Sequence, residues 1–128
     1  MCDAAECNVR TEGIHHGVES TDGVTVIAGS AGAQLSWLKL DNSGQMRVTR
    51  REGLPEEGVG EVCVRQDSRI VAVGCWDARV RVFHTRTGKR LAVLKQHRAS
   101  ITSVKFGESG LLACASRDRT VSIWDVFR

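Results

Sequence analysis

Four residues near the end of this 128-residue chain are of reactive kinds set close together along it: His97, Ser116, Asp118 and Trp124. A serine, an imidazole and a carboxylate are the parts of an acyl-transfer centre, where the ring takes the hydroxyl proton and the carboxylate orients the ring. That reaction needs its serine on an exposed, sharply turned nucleophile elbow. Ser116 instead closes the apolar run Leu111–Ala115, and Asp118 follows in a tight turn. Polar satisfaction accounts for the same residues. A buried carboxylate has to be hydrogen-bonded, and imidazole, hydroxyl and indole N–H stand at three different heights across a sheet. The set therefore reads as a structural network, and no residue is assigned a catalytic role.

The backbone carrying these groups is repetitive. Ser68–Phe83 can be laid over Ser109–Trp124, with Ser68/Ser109, Ala72/Ala113, Asp77/Asp118 and Val80/Val121 identical. Each pair is 41 residues apart, and a period of roughly 40–45 residues built from strand runs and turns is that of a β-propeller blade. The copy at 58–95 has runs at Val59–Val64, Ile70–Cys75, Arg79–Phe83 and Leu91–Leu94. Ile70–Cys75 is almost continuously apolar, as expected of a strand covered on both faces. The copy at 97–128 repeats the plan as Ile101–Phe106, Leu111–Ser116 and Thr120–Val126, and lacks the fourth, outer strand. A degenerate copy at 21–50 shows Val26–Ser30, Leu35–Leu38, a turn at Asp41–Gly44 and an outer run Met46–Val48.

Residues 1–20 read as a ragged lead-in: Gly13–Glu19 offers a first strand, but His15, His16 and Gly17 interrupt its pattern, and residues 1–12 are expected to be frayed. The expected fold is all-β: about three propeller blades, the last without its outer strand. Rings close with 4–8 blades, so a partial propeller is expected, the C-terminal portion of a longer one. Its uncovered faces would aggregate or pair with other copies.

The middle copy keeps Asp77 but has Cys75 at the Ser116 position, Phe83 at the Trp124 position and Glu56 where the histidine would stand. Its network is broken, leaving Asp77 solvated or paired with a neighbouring arginine. Alanine at Asp118 is accordingly expected to cost more stability than alanine at Asp77. Trp76, beside Asp77 in the turn, either packs on its own loop or anchors a contact, since exposed Trp and Arg dominate interface hot spots. With Arg79, Arg81, Arg117 and Arg119 it forms the candidate partner-binding set.

The Trp124-Asp125 dipeptide, His97 and the Asp118 turn together resemble the WD-repeat family, with Gln96-His97 in place of the family's usual Gly-His. Ile27–Gly32, Gly74–His84, Leu91–Leu94 and Gly110–Ala113 extend the resemblance over about residues 20–126 to the family's G-protein-beta-like members. The resemblance implies that Asp118 accepts from His97, which reaches the Ser116 hydroxyl and then the Trp124 indole. It also implies a non-catalytic scaffold for protein–protein interaction, without nucleotide-binding residues. A related fungal branch belongs to co-chaperone assemblies that mature phosphatidylinositol-3-kinase-like kinases.

Composition narrows the rest. The net charge of +3, with both signs interspersed, is too small to argue nucleic-acid binding. A nucleic-acid or phosphopeptide reader using the arginine-rich loops is nonetheless the alternative function. No apolar run approaches the ~18–20 residues that span a bilayer, and the charged start, Asp3 to Glu19, does not resemble a signal peptide. The five cysteines form no C-x-x-C pair; Cys63, Cys75 and Cys114 fall in apolar runs as buried, reduced thiols. A cytoplasmic or nuclear protein is expected. His15-His16 with Cys2 and Cys7 fits no structural zinc spacing, and Gly29–Gly32 has no following Lys-Ser/Thr to make a phosphate loop. No metal, cofactor or small-molecule substrate is assigned. Arg47, Arg50 and Arg51, and Arg86, Lys89 and Arg90, read as solvated edge-strand charge.

Overall fold

A computed structural model describes residues 15–20, 25–30 and 32–126. Three antiparallel sheets follow one another along the chain. The first holds β1 (His15–Ser20), β2 (Thr25–Ser30), β3 (Gln34–Leu40) and β4 (Met46–Gly53) in chain order. The second repeats that order with β5 (Val59–Val64), β6 (Ile70–Cys75), β7 (Val80–His84) and β8 (Arg90–Leu94). In the third, β10 (Leu111–Ser116) lies between β9 (Ile101–Phe106) and β11 (Val121–Asp125). This is the expected all-β set of blades, the last with three strands among the described residues.

The lead-in needs correcting. β1 is a true strand, registered on β2 from His15↔Ser30 to Ser20↔Val26 with a bulge between His15 and Gly17. It also stacks on β5 of the next sheet. Pairing and stacking, which are non-local, override its poor strand pattern. The first blade is thus four-stranded and runs from His15 to Gly53. Residues 1–14 lie outside the described residues.

The sheets pack face to face through their inner strands, β5 against β1 and β2, and β9 against β5 and β6. Two apolar layers result. Ile27, Leu35, Trp37, Val71, Val73 and Phe83 fill the first, and Ile70, Ala72, Val80, Val82, Val104 and Leu112 the second. Approach at the second interface is close enough to exclude a side chain. A Cβ on Gly60 would stand 2.5 Å from the Ile101 carbonyl oxygen, and one on Gly74 would stand 2.6 Å from Ile101 Cγ2.

Burial along equivalent strands shows what stacking does. Every residue of β6 is buried, because β6 has a sheet on each side. In β10 buried residues alternate with half-buried ones, because among the described residues only the second sheet covers it. Val80 and Val82 are 1% and 0% exposed, whereas Val121 and Ile123, 41 residues on, are 66% and 62% exposed. Val82→Ala is therefore expected to cost about 2 kcal/mol, and Ile123→Ala under ~0.5 kcal/mol, in urea melts of the whole chain. Equal costs would contradict the stacking.

Candidate functional site

At one end of the sheets, the β6–β7 and β10–β11 turns are each built on an aspartate. Asp77 Oδ1 accepts the Arg79 amide at 3.1 Å, and Asp118 Oδ1 accepts the Thr120 amide at 2.9 Å. In both, a side chain closes the turn onto the backbone two residues later. The next residues, Ala78 and Arg119, take left-handed φ of 72° and 70°. Beyond this shared turn the two blades differ.

In the third blade, Asp118 Oδ2 accepts the Arg98 amide at 2.9 Å and His97 Nδ1–H at 3.0 Å. The buried ring turns Nε2 to the Ser122 hydroxyl at 2.8 Å, and the Trp124 indole N–H donates to the same oxygen at 2.8 Å. A carboxylate at one nitrogen places the ring proton on Nδ1, so Nε2 accepts from Ser122. The serine of this network is Ser122, which corrects the role expected of Ser116. The Ser116 hydroxyl donates to the Ala99 carbonyl at 2.8 Å and accepts the Asp118 amide at 3.1 Å, tying the loop before β9 to the turn.

The reason lies in strand alternation. Ser122 and Trp124 are two apart on β11 and so share a face, and Ser122 pairs in register with Cys114. A hydroxyl residue two positions before the tryptophan was the signal in the sequence. The Ser116 hydroxyl is thus bonded to backbone, and the Ser122 oxygen is held between imidazole and indole. Ser122→Ala leaves the Trp124 indole N–H without its acceptor and His97 Nε2 without its donor, and is expected to cost about 2 kcal/mol. Ser116→Ala is expected to cost about 1 kcal/mol. Chemical denaturation of the two variants checks the order.

In the second blade Arg81 replaces both imidazole and hydroxyl. It stands 41 residues before Ser122 and reaches Asp77 with both arms, Nη1 to Oδ1 at 3.0 Å and Nη2 to Oδ2 at 2.7 Å. Asp77 is thus paired with a neighbouring arginine, one of the two expected outcomes. Arg81 is 5% exposed, which removes it from the partner-binding set: its alternation onto the Asp77 face buries it. The signal for it was equally local, an arginine two positions before Phe83 on the same face.

These contacts set the acid sensitivity. For Asp77, burial works to raise the carboxyl, but the Arg81 guanidinium and Arg79 amide outweigh it and the net shift is downward. The Thr120 hydroxyl, then the Arg98 amide and His97, hold Asp118 well below the usual range against some burial. Depressed carboxyls stabilise the fold above their unfolded value, near 3.9, and that contribution is lost as pH falls through the folded-state values. The melting temperature is expected to hold between neutral pH and about 5 and to drop below about 4. An unchanged midpoint on acidification would contradict the assignment. The thiols go the other way: burial raises Cys75 and pushes Cys114 up to about 11.

Of the remaining candidates, Trp76 is 42% exposed and Arg117 and Arg119 are exposed, while Arg79 is half-buried. Trp76 is held from three sides. Its ring lies on Gly58, where a Cβ would come within 2.0 Å of it; its amide donates to the Gly58 carbonyl at 3.0 Å; and its carbonyl accepts the Ser100 hydroxyl at 3.0 Å. Trp76 therefore packs on the loops before β5 and β9 rather than on its own turn, and it stays exposed. Trp76 and Arg117 face one cleft of about 390 Å³, shared with Gly60, Ser100, Ile101 and Thr102. Arg119 belongs to the third-blade turn and does not line this cleft. Among the described residues, no group of three or more His, Cys, Asp or Glu could hold a metal ion, and no helix is long and apolar enough to cross a membrane. Cys2 and Cys7 of the rejected zinc set lie outside the described residues.

Antiparallel sheets stacked face to face, with aspartate-built turns at one end, define a β-propeller repeat protein. The chain belongs to the WD-repeat family: the family model described as "WD domain, G-beta repeat" matches residues 53–84 and 88–125. It is 44% identical over 101 residues to the mouse (Mus musculus) guanine nucleotide-binding protein subunit beta-like protein 1, covering 79% of this chain and 31% of that one. It is 38% identical over 71 residues to ASTRA-associated protein 1 of Schizosaccharomyces pombe, covering 55% and 19%. The chain thus spans less than a third of the length of these curated relatives. Among solved structures, that of U3-55K superimposes with a TM-score of 0.82 at 15% identity, over 92% of this chain and 38% of its own; it shows the fold alone.

Proposed function

We propose that this WD-repeat chain acts as a scaffold that docks a protein partner at the turn-bearing end of its blades. Trp76 and Arg117 form the centre of contact, with Arg79 and Arg119 beside them. The observation that carries this reading is Trp76, a large aromatic pinned by its backbone and by Gly58 yet left 42% exposed beside a cationic side chain. A rigid aromatic next to an arginine loses little conformational entropy on binding and is the composition of interface hot spots. The groups resembling a triad hold turns and loops in place.

The name of the fungal relatives associates them with ASTRA. We extend such an association to this chain and, following the resemblance, take the partner to be a co-chaperone assembly serving phosphatidylinositol-3-kinase-like kinases. Co-precipitation of the full chain with purified components of that assembly tests this. Trp76→Ala is expected to weaken capture by at least about 2 kcal/mol with little change in melting temperature. Undiminished capture by Trp76→Ala would sink the contact. Capture that collapses steeply with salt and is competed by nucleic acid would favour the reader alternative.

A further inference from the structure

At the other end of the sheets, one arginine from each of the two basic groups in the sequence, Arg50 and Arg86, meets the other at a single cleft. Ser68 and Trp76 cap opposite ends of β6, so a cleft containing Ser68 lies away from the Trp76 surface. That cleft, about 620 Å³, is lined by Lys39, Thr49, Arg50, Ser68, Thr85 and Arg86, with Trp37 and Thr25 completing it. A bulge in the β3–β4 pairing beside Trp37 leaves Arg50 opposite Trp37, on the face toward the second blade. Its side chain reaches across to the turn after β7, where Gly88, at φ 73°, leaves room for it: a Cβ there would stand 2.0 Å from Arg50 Nε. Arg86 flanks the same turn.

Three cations from two sheets thus face one cleft whose lining contains no carboxylate. Glu52 touches Arg50 from beside it at 3.3 Å; among the described residues, Lys39 and Arg86 make no ion pair. The base is rigid, because the Trp37 indole N–H donates to the Thr85 carbonyl at 2.7 Å and the ring is 3% exposed. That burial also argues against single-stranded nucleic acid, whose bases stack on exposed aromatic faces.

We propose that this cleft is a second docking site, for an acidic, Asp/Glu-rich peptide segment of a partner protein. Lys39, Arg50 and Arg86 receive its carboxylates and Thr49 supplies a hydroxyl. The site is independent of the Trp76 surface. Such contacts are exposed, and so they weaken with salt.

The test is fluorescence anisotropy of the full chain with a labelled Glu-rich peptide, a neutral Gln peptide of the same length and a single-stranded oligonucleotide. The Glu-rich peptide is expected to bind best and to lose affinity with salt. The double variant Lys39→Glu, Arg86→Glu is expected to bind it at least about tenfold more weakly while keeping the wild-type melting temperature, both sites being exposed. Arg117→Glu, at the opposite end, is expected to leave peptide affinity unchanged while losing the partner of the Trp76 surface. The proposal is overturned if the Glu-rich peptide does not bind, if the neutral peptide or the oligonucleotide binds as well or better, or if the double variant binds normally.

Discussion

Asp77→Ala is expected to lower the stability of the chain by about 3–5 kcal/mol, the range found when one partner of a buried ion pair is removed. The side chains of Asp77 and Arg81 are 13% and 6% exposed and meet through two parallel bonds. Without the carboxylate, the guanidinium stays in the second blade with its charge uncompensated, and the Arg79 amide loses its acceptor. Asp118→Ala is expected to shift the melt less. Its histidine partner can remain neutral, and its other donors, the Arg98 and Thr120 amides, sit at an exposed surface. This reverses the order expected from residue types alone. A double-mutant cycle with Asp77→Ala and Arg81→Leu separates the pair from its surroundings. The double variant is expected to be more stable than Asp77→Ala alone; a lower or equal stability would refute the pairing as the cause.

Trp37→Ala is expected to cost about 3–5 kcal/mol, as for other buried tryptophans. The ring fills the layer between the first and second sheets beside Ile27 and Leu35 and meets Phe83 edge-on, with centroids 6.2 Å apart and an interplanar angle of 79°. Its N–H is also the donor to the buried Thr85 carbonyl. Trp37→Phe keeps most of the apolar volume but leaves that carbonyl unpaired, so about 1–3 kcal/mol is expected. Hydrogen exchange adds a spatial prediction. Trp37→Ala should lower protection in β2–β4 and β5 more than in β9–β11, because the second apolar layer does not include the tryptophan. Uniform loss of protection would show instead that the sheets do not have separable interfaces.

The second and third blades were readable because their strand runs and turn aspartates recur at one spacing. Ile70–Cys75 could be assigned as a doubly covered strand from its near-continuous apolarity, and all six residues are buried. β1 was only partly readable. Gly13–Glu19 offered a strand pattern that His15, His16 and Gly17 interrupt, and the structure around it, β2 on one edge and β5 against the face, supplies what the local sequence does not. The turn aspartates were recognisable from spacing, whereas their partners were not. Ser122 and Arg81 matter through the face they share with Trp124 and Phe83, a relation that residue types do not reveal until strand register is known. The same blindness placed Arg81 among surface contacts. The converging arginines were visible only as two separate charge clusters, because the Arg50–Gly88 approach depends on how two sheets stack.

That stacking is tested most directly by nuclear Overhauser contacts between the Ile101 γ2 methyl and the backbone protons of Gly74. A side chain at Gly74 would collide with that methyl, so the two groups lie in van der Waals reach across the second and third sheets. Strong cross-peaks are predicted, together with the pairing contact of Gly74 to Val80 within its own sheet. The Gly74–Val80 contact present with no Ile101–Gly74 cross-peak would mean that the strands form while the blades do not stack.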